Sequence, residues 1–205
     1  MEFVHTIENV MSKELCKEII EKYEKDTRKT PAKLDEGIID NNIRKNSVLY
    51  INDLEDWRCI DEQIYKCVSR GIGEYIERTK IVLDQDHPPD ILEEYLDDDG
   101  YHIQSYEEGD FYNWHHDELV KDRRCLTVMF YLNDMKEEDG GTTDFRIGGP
   151  LTSIVPKEGM SLIFPSNWCY MHRAGIVKNN AKKYTIITWI KIRHSFITNI
   201  PSINV

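Results

Sequence analysis

The stretch RCLTVMFYLND, residues 124–134, is rich in β-branched and aromatic side chains and stops at Asn-Asp. Such a run reads as a strand, and others like it lie on both sides. HIQSY (102–106) precedes it, and LTSIVP (151–156), MSLIFPS (160–166) and KYTIITWIKIR (183–193) follow. Between them stand the turn signals EEG (107–109), EEDGG (137–141), IGGP (147–150), PKEG (156–159) and KNN (178–180). Short strands so punctuated predict a closed or double-sheet antiparallel architecture of roughly eight strands.

Before Tyr101 the pattern is helical. Ser12 is placed to cap SKELCKEIIEKYEKD (12–26), in which Leu15, Ile19, Ile20 and Tyr23 recur at helical spacing. A second helix is predicted from about Trp57 to Thr79, with Ile60, Ile64, Val68, Ile72 and Ile76 four apart and Gly71 and Gly73 weakening its middle. DQDHPPD (84–90) must be a turn or loop. The fold class expected is mainly β with flanking α-helices. It forms one domain over 1–205: residues 1–100 are a mostly helical support, packed on an outer face of a β core at 101–195.

A chain of 205 residues, 40% hydrophobic, suits one core. With 26 Lys plus Arg against 37 Asp plus Glu, the formal charge of −11 disfavours nucleic acid and anionic membrane as partners. The five cysteines form no CxxC pair, which argues against a zinc ribbon and for a reducing, cytoplasmic compartment. No secretory leader pattern and no membrane-length apolar run are seen.

The chemistry gathers in FYNWHHDELV (111–120). If this segment is extended, His115 and Asp117 share one face and His116 the other. A His-x-Asp pair can offer one nitrogen and one oxygen to the same metal, and His172, in SNWCYMHRAG (166–175), is the best-placed distant partner. Two histidines and a carboxylate on one face of an octahedron leave three positions open, as in non-haem Fe(II) oxygenases. Two other readings use the same residues. One is a metal- or ligand-binding jelly-roll module without turnover. The other is a zinc hydrolase, which needs a general base; on strand alternation, Glu118 faces the wrong way for that.

Several elements, taken together, resemble the 2-oxoglutarate- and Fe(II)-dependent dioxygenases, and among them the prolyl 4-hydroxylase-like group. They are YEEGDFYNWHHD (106–117), LTVMFYLND (126–134) with GGTTDF (140–145), PKEGMSLIFPS (156–166) and KYTIITWI (183–190). SKELCKEII (12–20) and RKNSVLYI (44–51) fit more loosely. The resemblance implies a double-stranded β-helix, or jelly roll, with iron on His115, Asp117 and His172. It implies 2-oxoglutarate as cosubstrate, with a strand lysine pairing its far carboxylate and Tyr106, Tyr131 and Thr143 completing the pocket. Counting forward from His172 reaches Lys182, whereas aligning back from Tyr184 reaches Lys183; insertions settle in turns such as KNN, which favours Lys183.

The reaction implied consumes dioxygen, releases succinate and carbon dioxide and hydroxylates a C–H bond, with ascorbate as an accessory reductant. A peptide or protein substrate, hydroxylated at a prolyl residue, is the family default, and another side chain or a small molecule is the alternative. Trp114 and Trp189 read as packing residues, with Trp189 also able to wall the pocket, and His116 reads as facing solvent. The acidic LEEYLDDDG (92–100) reads as a solvated face or as a docking surface for a basic peptide.

Overall fold

In the computed structural model, described over residues 2–34, 37–92, 96–119 and 122–192, two antiparallel sheets carry the architecture. The elements run β1 (His5–Ile7), α1 (Lys13–Lys25), β2 (Thr30–Pro31), β3 (Arg44–Lys45), β4 (Ser47–Tyr50), α2 (Arg58–Leu83), β5 (Leu96–Asp98), β6 (His102–Tyr106) and β7 (Phe111–His115). They continue with β8 (Arg124–Tyr131), β9 (Thr143–Phe145), β10 (Thr152–Ile154), β11 (Ser161–Pro165), β12 (His172–Ala174) and β13 (Lys183–Ile192). One sheet has the order β1-β11-β8-β13-β6-β4-β2, with β5 added along β13, and the other has the order β10-β9-β12-β7-β3. This is the double-sheet antiparallel architecture that the strand pattern predicts, in the double-stranded β-helix form that the resemblance implies.

Alternation along each strand divides the side chains between two cores. In β11, Ile163 joins the cluster that covers the helix side, while Leu162 and Phe164 join Tyr131, Phe145 and Met160 between the sheets. In β13, Ile186 and Ile190 face the helices, while Lys183, Thr185, Ile187 and Trp189 line an internal cavity. Both helices pack on the outer face of the larger sheet. Ser12 caps α1 by accepting from the Leu15 N–H at 3.2 Å, and Leu15, Cys16, Ile19 and Tyr23 form its buried stripe.

Helix α2 is longer than its sequence pattern predicts and runs unbroken through both glycines. Gly71 lies on the buried face, where an added Cβ would stand 3.2 Å from Ile163 Cδ1. It lets the helix approach β11, and that packing outweighs its poor helical propensity. DQDHPPD begins with Asp84 in the left-handed region (φ 53°), which ends the helix.

From Tyr101 onward the described residues hold eight strands, β6 to β13, as the spacing predicts. The correction concerns the half before it, read as mostly helical, where five more strands stand. These five, β1 to β5, are two to four residues long, too short to display an alternation of period two, and they add to both sheets. FYNWH is a strand, but it ends at His115, and Asp117 lies beyond it. Arg193, at the end of the predicted last strand, and residues 93–95 of the acidic stretch lie outside the described residues. All five cysteines are free, and no helix among the described residues is long and apolar enough to cross a membrane.

The N-terminal strand is pinned by one turn. The N–H groups of Val10 and Met11 both donate to the Gly159 carbonyl, at 3.0 and 3.1 Å. Gly159 has φ +76°, and an added Cβ would lie 2.3 Å from Met11 O. Gly159→Ala is therefore expected to cost at least about 2 kcal/mol of stability. Gly73→Ala, whose Cβ meets nothing within 4 Å, should instead gain roughly 0.5–1 kcal/mol. Urea unfolding of the two variants checks both signs.

Candidate active site

His115 ends β7, His172 begins β12, and the register of these strands sets the two directly opposite each other. The imidazole centroids stand 4.2 Å apart. Each ring is oriented by the same local device: Nδ1 of His115 lies 2.7 Å from the Asn113 carbonyl, and Nδ1 of His172 lies 3.0 Å from the Tyr170 carbonyl. A carbonyl only accepts, so each Nδ1 carries a proton, and each Nε2 is the ring nitrogen that faces Asp117.

Asp117 is held from three sides. Its N–H donates to the Ser166 carbonyl at 3.1 Å, and the Thr127 hydroxyl donates to Oδ2 at 2.7 Å. Its carboxylate oxygens stand 3.6 Å from His115 Nε2 and 3.5 Å from His172 Nε2. These gaps are too long for hydrogen bonds. Ligands about 2.1 Å from one ion, subtending roughly 90–110°, lie about 3.0–3.4 Å apart, close to what is seen. All three donor atoms fall within 4.8 Å of one another.

Electrostatics fits the same use. Burial, followed by repulsion from His172, pushes His115 down to about 3, so that its imidazole is neutral. Burial opposes ionisation of Asp117, but His172, His115 and the Thr127 hydroxyl hold it below the usual carboxylate range. A neutral imidazole beside an ionised carboxylate, with Nε2 lone pairs converging, is a donor set for a divalent ion with open positions.

The three groups stand at the wall of a cavity of ≈ 540 Å³ that Lys183, Thr143 and Tyr106 also line. Lys183 is 1% exposed, and its Nζ lies 5.3 and 5.4 Å from the ring centroids of Tyr106 and Tyr131. Among the described residues it has no ion pair. Burial lowers it from 10.5 to about 7, with distant Asp144 pulling the other way. Thr185, two residues on along the strand, lines the same cavity with a buried hydroxyl that has no hydrogen-bond partner among the described residues. An unpaired ammonium beside an unpaired hydroxyl makes a seat for a carboxylate, and 2-oxoglutarate carries one at its far end.

Lys182 points elsewhere, to Glu24 and Glu107, each at 3.0 Å. The Tyr106 hydroxyl donates to Gln104 Oε1 at 2.9 Å, within the cavity wall. Tyr131 differs from expectation: it is not part of that wall. Its hydroxyl donates to Thr143 Oγ1 at 2.7 Å and so positions the threonine that is.

Around the rim the sequence reading fares unevenly. His116 is exposed and borders the opening. Glu118 also borders it, contrary to the strand alternation, because the strand has already ended; its carboxylate accepts the Trp168 N–H at 3.3 Å. Trp189 walls the cavity, with the Arg124 guanidinium 3.8 Å above its ring. Trp114 lies between Arg146 and Arg173. Thr185 could have been found from its spacing to Lys183. Arg44, Tyr112, His102 and Gln104 also line the cavity, and no motif marks them.

Comparison with known proteins bears on this arrangement. No curated protein sequence matches the chain. The fold is similar to that of a prolyl hydroxylase from Trichoplax adhaerens, solved with a hypoxia inducible factor oxygen degradation domain peptide fragment (TM-score 0.76, 19% identity, covering 94% of this chain and 84% of that one). It is similar also to a prolyl-4-hydroxylase from Pseudomonas putida (TM-score 0.68, 17% identity, 93% and 94% covered). A third likeness is to the viral collagen prolyl hydroxylase of Paramecium Bursaria Chlorella virus-1 in its 2OG complex (TM-score 0.65, 22% identity, 92% and 95% covered). At these identities the likeness is one of fold. Residues 101–191, the span that holds the three converging side chains and Lys183, match the family profile of the 2OG-Fe(II) oxygenase superfamily.

Proposed function

We propose that this protein is a 2-oxoglutarate-dependent dioxygenase that hydroxylates a peptidyl proline, releasing succinate and carbon dioxide, with ascorbate as accessory reductant. The observation that carries the reading is the pairing, in one cavity, of a His115–Asp117–His172 donor set with a buried Lys183 that has no ion pair among the described residues. A binding module has no need of both, and among the described residues Glu118, the one carboxylate besides Asp117 that lines the cavity, accepts the Trp168 N–H. The prolyl substrate is supported by the fold's likeness to prolyl hydroxylases, one of them solved with a peptide.

Bound Fe(II) with 2-oxoglutarate would supply the oxidising power for the C–H bond, which no side chain here has. His115, Asp117 and His172 would hold the metal by one face and leave the cavity side open. Their backbone and hydroxyl partners keep them in place before it binds, so little reorganisation is required. Lys183, with Thr185, would take the far carboxylate of 2-oxoglutarate and fix the cosubstrate's depth. Trp189 and Ile187 give the cavity apolar wall, which excludes water and suits a pyrrolidine ring.

Anaerobic addition of Fe(II) and 2-oxoglutarate should produce a weak visible charge-transfer band. Admitting oxygen with proline-containing peptides should then bleach it, form succinate and add one oxygen to a peptide. A protein that shows no band and retains zinc tightly would be a hydrolase instead. His172→Ala is expected to abolish the band, whereas His116→Ala should leave metal binding intact.

Lys183 gives a pH dependence whose sign can be worked out. The unfolded amine keeps its proton to about pH 10.5, while the folded amine releases it from about pH 7. Between these values the unfolded state binds more protons, so the stability of the ligand-free fold should rise with pH across that window. Affinity for 2-oxoglutarate should move the opposite way, because its carboxylate needs the ammonium form. It should weaken by up to about tenfold per pH unit above about pH 7, with close to one proton taken up per ligand near pH 8.5. Calorimetry in buffers of different ionisation enthalpy reads that proton. Lys183→Met should raise the melting temperature of the ligand-free protein while weakening 2-oxoglutarate binding by about a hundredfold or more.

A further inference from the structure

Arg44 is a second cation in the cavity wall that the reaction proposed above does not use. The other arginines there are matched: Arg124 pairs with Asp99 at 3.0 Å, and Arg173 with Asp144 at 2.8 Å. Arg44 has no carboxylate partner among the described residues. Its guanidinium is held instead by neutral groups: Nε donates to Asn46 Oδ1 at 2.9 Å and Nη1 to the Lys33 carbonyl at 3.3 Å. Cζ stands 4.6 Å over the Tyr112 ring, which in turn stacks on the His115 imidazole at 3.6 Å and 19°. The placement is rigid, because Arg44 lies on β3, opposite Tyr112 in the β3–β7 ladder, and the neighbouring Lys45 ties β3 to Asp110 at 3.0 Å.

A permanent cation is thus fixed two stacked layers from a ligand of the proposed metal centre. With a divalent ion bound, the two positive charges would repel each other through a partly desolvated region, and an anion between cavity and rim would relieve this. Among the described residues Arg44 keeps Nη donors without partners, in the planar group best suited to grip a carboxylate. Leu34 and Ile38 line the same side of the opening and give an apolar neighbour to the charge.

We infer that Arg44 binds a carboxylate of the prime substrate, so that the preferred substrate is a proline with a carboxylate close by. This rests on the prolyl hydroxylase reading and adds the substrate class to it. The carboxylate has two possible sources, the side chain of a neighbouring Asp or Glu, or the α-carboxylate of a C-terminal or free proline. The inference is opposite in sign to a basic-peptide reading of the acidic 92–100 stretch.

The test uses the Fe(II)–2-oxoglutarate enzyme and four matched probes: proline peptides with flanking Asp or Glu, the same with Asn or Gln, C-terminal prolyl peptides as acid or amide, and free L-proline. Binding is read anaerobically from the shift of the visible band, and turnover from the mass gain of one oxygen. The acid form is expected to bind about tenfold or more tightly than its amide, with the preference declining as salt rises. In Arg44→Gln the preference should fall to within about threefold, through KM rather than kcat. Arg44→Lys should restore part of it.

A preference confined to flanking Asp or Glu, or one confined to C-terminal acids, supports the inference and identifies the source. Equal binding of acids and amides by the wild-type enzyme overturns it, and this arm stands even if the variants fail to fold. A preference that survives in Arg44→Gln overturns it too. Oxygen insertion into none of the probes overturns the prolyl reading, while the anaerobic shifts still decide the carboxylate preference. Binding of none of them overturns both.

Discussion

The short ladder between β7 and β12 is the constraint on which the candidate centre depends. It places His172 across from His115, and β9 flanks β12 on its other edge, where Phe145 pairs with His172 in register. A three-residue strand carries little stability alone, so its position is enforced from both edges and from beneath, where Phe164 meets the His172 ring edge-on at 4.8 Å. Each histidine then donates to the carbonyl two residues before it. Ring direction, tautomer and free lone pair are all decided by backbone that the sheet already holds. Asp117 joins from beyond the strand through Ser166 and Thr127, which the larger sheet and the segment following β11 supply.

Charge is distributed in the cavity in a way that burial alone would not favour. Among the described residues, an ammonium with no ion pair sits at its deep end, an arginine bonded to neutral groups lies at its wall, and an ionised carboxylate faces two histidines. Each costs folding free energy in isolation. They are tolerated because backbone pairing and local hydrogen bonds fix the segments that carry them: Arg44 lies on β3, paired to β7, and Asp117 is tied to Ser166 and Thr127. Lys183 begins β13, which is paired to β6 there and to β8 and β5 further on. The cavity is accordingly preorganised for anionic and metal ligands, and the proposed chemistry makes use of that arrangement.

Much of the fold was legible. The long strands β8, β11 and β13 and both helices show their period over enough residues to be read, and the inner and outer faces follow from it. What could not be read has a common physical cause, namely shortness. Strands of two or three residues, such as β3 and β12, exist because neighbours pair with them and not because of local propensity. The same cause explains Glu118: alternation was carried past His115, where the strand stops. Gly71 looked like a weakness and is instead a point of close contact, which depends on Ile163 far along the chain.

For the site, residue types and their order along the chain made His115, Asp117 and His172 candidate ligands, and the resemblance to the dioxygenases pointed to a strand lysine beside them. Sequence alone could not decide between Lys182 and Lys183, because an insertion in a turn shifts the count while strand pairing sets the phase. Nor could it find Arg44 or Tyr112, whose places at the cavity come from stacking across the β3–β7 ladder. Local composition determined which groups this protein has available for chemistry; the packing of two sheets determined which of them face the same cavity, because convergence in space depends on register between strands that lie far apart in the chain.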